Sequence, residues 1–409
     1  MDNISHSVVG LATGELVHRS LPQEADGDRQ NLRRRLLLLS CWLASNFPDL
    51  DLFLTPLLPE PLGYLLHHRG HTHTLLYAIP QALFLWATLW LLWPSARKLL
   101  KESAAARSGV IISVCLGFTL HLLMDYLNSY GLHPFHPFDS RWLYGDMVFI
   151  LEPVFWIAFG VPMAMTVRRP ALKIALLVLL FGAPLFFTIR EYLAWGSLAA
   201  LALIGVVPGA IQHKAGAKGR QGLVVAFCMC LGFIGVQGVA SGQARHLIAE
   251  SVRAKDPSSE LVDVSLSSFP TNPLCWAFVS VERNDGAGSY ALRRGILSLA
   301  PDMLSTAECP ASLSGDLPQN APSRAIAFVS QENGKLDMLR KLKDSNCYFK
   351  AWLRFARAPS VNDTEASDIR FSSSPRGNFT TLNFAKFSGK ECPRFVPEWD
   401  FPRSDLLSP

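Results

Sequence analysis

Val110 to Leu127 reads VIISVCLGFTLHLLMDYL, eighteen residues in which His121 and Asp125 are the only side chains that carry charge near neutral pH. The length suits one helical crossing of a bilayer's hydrocarbon core. Six further stretches, at about 36–53, 74–93, 146–167, 171–189, 195–212 and 222–240, are similarly apolar and of similar length. Together they predict seven membrane helices. An eighth segment, Ser5 to Val17, is short and half polar. It starts too close to Met1 and lacks the basic flank of a signal peptide, so it is expected to remain in the chain as a helix at least partly in the membrane.

The expected fold class is a polytopic α-helical membrane bundle of 7–8 helices over residues 1–243, followed by an exported α+β domain over residues 244–409. Composition agrees. Charged residues are 17 % of the 409, against about 25 % in soluble domains, and the mean hydropathy is +0.21. The averages hide a split: the chain is apolar with charged breaks up to Gln243 and ordinary soluble sequence beyond it. The formal net charge of +5 gives no reason to expect nucleic acid, because the basic residues sit in the gaps between apolar segments.

Those gaps orient the bundle. Four alternate connections hold fifteen Lys and Arg, among them Arg33, Arg34 and Arg35, whereas the intervening ones, 54–73, 128–145 and 190–194, hold only Arg69, Arg141 and Arg190. By the positive-inside rule the poor side is non-cytoplasmic. The C-terminal domain is then expected in the periplasm, on the outer side of a bacterial inner membrane.

Within that domain, Pro270 to Val281 and Tyr290 to Leu299 read as strands around the turn-forming Asn284-Asp285-Gly286. Gly334 to Phe355 carries a helical pattern, and Asp368 to Ser373 and Asn378 to Phe384 read as two more strands around Pro375-Arg376-Gly377. Cys275, Cys309, Cys347 and Cys392 all lie here; an even set in an oxidising compartment allows two disulfides in any of three pairings. Cys41, Cys115, Cys228 and Cys230 lie in apolar segments as packing residues.

The informative side chains gather on the side facing away from the basic loops. Eight of the eleven His are there, namely His6, His67, His68, His71, His73, His121, His133 and His136, with Asp2, Asp49, Asp51, Asp125, Asp139, Asp146 and Glu152. Lys and Arg alone assigned the sides, so this gathering is an independent observation. Ionisable groups at membrane depth are costly unless paired or bound to a metal or ligand. His121 and Asp125 are spaced i,i+4 and share a helix face. His68 and His73 flank Gly70, which permits a tight turn. Imidazole with carboxylate suits Zn2+, and more carboxylate admits Mn2+ or Fe2+. Such an ion lowers the pKa of its water and polarises a substrate oxygen. The expected ligands are His6, Asp49, His68, His73, His121 and Asp125. Asp49 or Asp51 is the candidate general base, and Arg69 the candidate clamp for an anionic headgroup. The competing reading is an ion-pair network without metal. His67, His71, His133 and His136 are read as interfacial or loop-shaping residues. No nucleophile elbow, phosphate loop or His-Glu-x-x-His is present.

DNISH at Asp2–His6, Pro48-Asp49-Leu50-Asp51, HRGHTHT at His68–Thr74 and His121-x-x-x-Asp125 resemble the YdjM-like family of bacterial inner-membrane proteins, commonly described as metal-dependent hydrolases. The resemblance covers roughly residues 1–170 and lands on Asp2, His6, Asp49, Asp51, His68, Arg69, Gly70, His73, His121 and Asp125. Members often carry Ser where this chain has Thr74, which keeps the hydroxyl. Asn272-Pro273, Trp276 and Asp368-Ile369-Arg370 look like longer members. The resemblance implies a membrane-embedded hydrolase. At the membrane–water level the expected substrate is an ester or phosphoester of a lipid or lipid-linked envelope molecule. A metal-braced sensor or assembly protein, binding a protein partner through its exported domain, and an ion or metal transporter are the alternatives.

Overall fold

The computed structural model describes residues 1–310, 323–371 and 377–408. The chain opens with α1 (Asn3–Ser20), capped by Asp2, whose carboxylate accepts the Ser5 amide at 3.0 Å. This helix is longer and more buried than its half-polar sequence suggests. Its buried Glu15 is matched by Arg19 and Arg34, both at 2.7 Å. Next come α2 (Gly27–Ala44), a 3-10 segment over Pro48–Leu57, α3 (Leu62–His67), a turn over His71–His73, α4 (Leu75–Leu92), α5 (Pro94–Glu102) and α6 (Ala104–Tyr126). Then follow α7 (Pro153–Met165), α8 (Pro170–Ile189), α9 (Trp195–Ala215) and α10 (Gln221–Lys255).

Six of these are long and apolar enough to cross a membrane: α2 with its 3-10 extension, α4, α6, α8, α9 and α10. The helix expected over 146–167 begins only at Pro153, a first-turn proline preceded by the capping Glu152, because Met147 and Val148 first fold back to donate to the Leu127 carbonyl. The helix expected over 36–53 stops at Ala44, and Pro48 opens the 3-10 segment.

Small residues seat the site-bearing helices. α1 packs against α2, α6 and α7. A Cβ on Gly117 of α6 would lie 2.5 Å from Ala44 Cβ, and one on Gly10 of α1 would lie 2.5 Å from Ser45 Oγ. Backbones that approach this closely associate through van der Waals contact, the chief attraction between helices in lipid.

The C-terminal domain is a four-stranded antiparallel meander with strand order β1-β2-β3-β4, built from β1 (Glu260–Phe269), β2 (Asn272–Asn284), β3 (Ser289–Ser298) and β4 (Ile326–Lys335). Helices over Leu336–Ser345 and Cys347–Leu353 follow, with a two-stranded ladder of β5 (Pro359–Val361) and β6 (Ala366–Asp368). The helical pattern of Gly334–Phe355 is thus two helices, the second capped by Asn346. The expected strand from Asp368 ends at Asp368 itself; its residues 372–373, like 375–376 of the expected turn, fall outside the described residues. Asn378–Phe384 forms only a single bridge, Leu382 to Ala366. There the Asn378 amide donates to Thr381 Oγ1 and the Asp368 amide to Thr380 Oγ1. Such side-chain contacts replace the ladder. The disulfides are Cys275–Cys309 and Cys347–Cys392.

The two halves form a continuous structure. The expected boundary near Gln243 falls inside α10, which runs unbroken into the C-terminal domain. Ala244, Ile248 and Val252 of α10 pack with Val264, Trp276 and Phe278 of the sheet. A larger core joins Leu62, Leu65, Leu66, Tyr130 and Trp142 of the bundle's loops to Trp352, Phe355 and Trp399. The C-terminal domain is therefore seated on the loops that carry the His-rich stretch.

Candidate metal centre

Three elements bring Asp49, His73, His121 and Asp125 together. The 3-10 segment supplies Asp49, the turn after α3 supplies His73, and one face of α6 supplies His121 and Asp125. His73 Nε2 lies 3.0 Å from His121 Nε2, 3.4 Å from Asp49 Oδ1 and 3.2 Å from Asp125 Oδ2. His121 Nε2 lies 3.8 Å from Asp49 Oδ1 and 3.4 Å from Asp125 Oδ2. All four side chains are buried, and Asp49, at 8 % exposed, comes nearest the surface.

The outer contacts fix the tautomers. His121 Nδ1 lies 2.7 Å from the Ser45 carbonyl, which only accepts, so Nδ1 carries the proton and Nε2 is a bare lone pair. His73 Nδ1 faces the Asp51 carboxylate at 3.1 Å and also carries a proton. Two neutral imidazoles with their Nε2 atoms 3.0 Å apart repel unless a proton or a metal cation lies between them. Asp125 Oδ2, also buried, has no hydrogen-bond partner among the described residues. A tetrahedral divalent ion with bonds of about 2.0–2.1 Å spaces its ligands about 3.3–3.4 Å apart, and the five distances above run from 3.0 to 3.8 Å. The donor set and its spacing fit a divalent metal.

The other expected residues stand around this group. Asp51 accepts the Arg69 amide at 2.9 Å and the Thr72 hydroxyl at 2.8 Å, besides facing His73 and, at 3.1 Å, His68 Nδ1. It therefore orients histidines. Asp49, Asp51 and His68 form a second, overlapping set of potential ligands. His6 stacks on His121 with centroids 4.0 Å apart and holds Nε2 3.3 Å from Asp125 Oδ1, where the Met1 amino group also sits. Arg69, 2 % exposed, directs Nη2 to Asp125 Oδ1 at 2.9 Å and Nη1 to Asn128 Oδ1 at 2.9 Å. Its fork braces Asp125 from behind. The tight turn places Arg69, at φ 56°, in the left-handed region, a strained conformation for a non-glycine residue. Gly70 serves close approach instead: a Cβ there would lie 2.8 Å from the His67 carbonyl.

Sequence reading missed Ser45, Thr72 and Asn128, ordinary polar residues whose roles depend on tertiary contact. It also missed the buried anchor between the halves. Arg357 pairs with Asp146 at 2.8 Å and Asp263 at 2.7 Å. Glu152 accepts the Thr271 amide at 3.1 Å and its hydroxyl at 2.8 Å. From the C-terminal domain, Arg370 donates to the Ser129 carbonyl at 2.7 Å, and Trp276 packs on α10. His133 is stacked on Trp399, with centroids 4.0 Å apart, and shapes its loop as expected.

Residues 1–195 match the family described as YdjM inner membrane protein, so the half that holds the centre is YdjM-like. With its apolar helices, the chain is a multi-pass inner-membrane protein. A curated relative, the uncharacterized protein YfhP of Bacillus subtilis (strain 168), is 25 % identical over 158 residues, covering 39 % of this chain and 44 % of YfhP. The chain thus spans under half the length of that relative. No solved structure matches the chain.

Proposed function

We propose that the protein is a metal-dependent hydrolase that cleaves an ester or phosphoester of a lipid or lipid-linked envelope substrate at the periplasmic face. The observation that carries the metal reading is the convergence of two nitrogens, His73 Nε2 and His121 Nε2, held 3.0 Å apart between two carboxylates. Zn2+ suits two imidazoles and two carboxylates best. Bound there, it supplies Lewis acidity toward a carbonyl or phosphoryl oxygen and toward water.

The protein's own groups divide the remaining work. Asp49, nearest the surface, takes the proton of the attacking water; its Oδ2 is held by Asn3 Nδ2 at 2.8 Å. His73, His121 and Asp125 are the inner ligands. Asp51 and Arg69 keep them aimed. Beside Asp49 the 3-10 segment exposes Leu50, Phe53 and Leu54, apolar groups that suit a substrate whose chains stay in the bilayer. Fifteen basic residues in alternate connections against three in the others support a periplasmic C-terminal domain, as do its two disulfides.

The test is untargeted lipid analysis of cells carrying the parent or an Asp49→Ala, His73→Ala double variant at equal membrane abundance. Tagless protein loaded with Zn2+, Mn2+ or Fe2+ is assayed in parallel on phospholipids and polyprenyl phosphates. A product that disappears in the variant is expected. Identical lipid profiles together with inert metal-loaded protein would reject the hydrolase and leave the sensor or assembly reading and the transporter reading, which metal uptake in vesicles separates.

A further inference from the structure

A cleft of about 520 Å³ opens where the bundle's loop Arg141–Tyr144 meets the C-terminal segment Trp399–Ser404. Its lining shares no residue with the metal centre. We propose that this cleft is a binding site for a phosphate-bearing ligand, held by Arg354 and the Tyr144 hydroxyl.

The argument starts from charge matching. Arg357, at the base of the cleft, is neutralised by Asp146 and Asp263. Arg403 shares Asp263 at 3.1 Å and reaches Asp405 at 3.5 Å, and Arg141 holds Asp139 at 2.7 Å. Arg354 is different. It has no carboxylate at ion-pair distance among the described residues; its Nη1 donates to the Trp399 carbonyl and its guanidinium lies 5.0 Å from the centre of the Phe401 ring. One exposed acid, Asp400, stands at the rim. The cleft therefore holds a cation that the protein does not match.

Hydrogen bonding adds a second, separate observation. Tyr144 Oη is buried and has no hydrogen-bond partner among the described residues. Burial pushes the Tyr144 hydroxyl up to about 12, so it is a donor at any physiological pH. Buried donors without acceptors are costly and rare. This one lines the same cleft as the unmatched guanidinium, and both lack the same thing, an anionic acceptor. Guanidinium forks are the side chains best shaped for phosphate oxygens. Trp142, Trp399 and Phe401 add apolar wall for whatever carries the phosphate. That carrier is either a soluble phosphate ester or a lipid headgroup.

The full chain is titrated with inorganic phosphate and glycerol 3-phosphate in detergent, and with dioleoyl phosphatidic acid in nanodiscs, before and after stripping metal with chelator. Saturable binding of at least one probe is expected, unchanged by chelator, and weakened about tenfold by Arg354→Gln and by Tyr144→Phe. The second variant removes a hydroxyl that bonds to nothing in the protein, so its fold is kept. Binding of glycerol 3-phosphate identifies a soluble ligand; binding of phosphatidic acid alone identifies a headgroup. No saturable binding of any probe, or binding indifferent to both substitutions, overturns the site. Because the metal is absent in half of the titrations, failure here is distinguishable from failure of the hydrolase reading.

Discussion

His121 Nδ1 donates to the carbonyl of Ser45 at 2.7 Å, across the contact between α6 and the end of α2. That single bond decides which nitrogen of His121 is free to meet His73. A backbone carbonyl cannot be removed by side-chain substitution, so the orientation is built into the helix packing.

Metal content is the first prediction. Protein purified without a His tag is expected to hold a divalent ion, and His73→Ala or His121→Ala to lose it. Asp51→Asn leaves the three inner ligands and Asp49 in place but weakens the hold on His73 Nδ1, so affinity is expected to fall about 10–100-fold. Elemental analysis and competition with a chelating dye read both effects. Equal metal content in parent and His121→Ala would refute the centre.

Arg69 offers a different readout. Its removal leaves Asp125 buried without its main counter-charge, a loss of about 3–5 kcal/mol when one partner of a buried pair is deleted. Arg69→Gln is expected to lower the melting temperature in detergent, most strongly in chelator, because a bound cation compensates Asp125. A melting curve that shifts equally with and without metal would contradict this role.

The Arg357 anchor carries a pH signature. Burial alone would raise the Asp263 carboxyl, but Arg357, Arg403 and Arg245 outweigh it and hold the group well below the usual carboxylate range. A depressed folded value means that the stabilisation is complete above the unfolded value of about 3.9 and is lost as pH falls below it. Hydrogen-exchange protection along β1, measured relative to the intrinsic rate at each pH, is expected to be flat from neutrality down to about pH 5 and to fall under about pH 4. Arg357→Met should lower it at every pH. Loosening that begins near pH 6 would point to a histidine instead.

The cysteines divide cleanly. Alkylation of the denatured, unreduced chain is expected to label four thiols, Cys41, Cys115, Cys228 and Cys230, and reduction to expose the remaining four of the eight. Peptide mapping should return Cys275–Cys309 and Cys347–Cys392. Closing such loops is worth about 2–4 kcal/mol each, so Cys347→Ser should destabilise the C-terminal domain while sparing metal content. Eight reactive thiols before reduction would argue against a periplasmic location.

Much of the centre was legible because its signal is local. The i,i+4 spacing of His121 and Asp125 and the density of His in 67–73 need only helix periodicity and the cost of charge in lipid. Arg69 was misjudged because sequence shows a cation beside the cluster but not which way its fork points. Strand β1 was legible in principle, since Val262, Val264 and Leu266 alternate with Asp263, Ser265 and Ser267. The polar turn Asp256-Pro257-Ser258-Ser259 separates it from α10 and marks its start, a signal the sequence reading passed over. Pairings such as Arg357 with Asp146, 211 residues apart, depend on how the two halves dock, which no spacing encodes.

At 1.5 Å per residue the 35 residues of α10 make a rod of about 52 Å, well beyond a hydrocarbon core of about 30 Å. Its far end is wedged under the sheet by Ala244, Ile248 and Val252. A rod held at one end by lipid and at the other by a folded domain is a lever. A helix longer than the core it crosses accommodates by tilting, so the load falls on the joint that Ala244, Ile248 and Val252 make with the sheet.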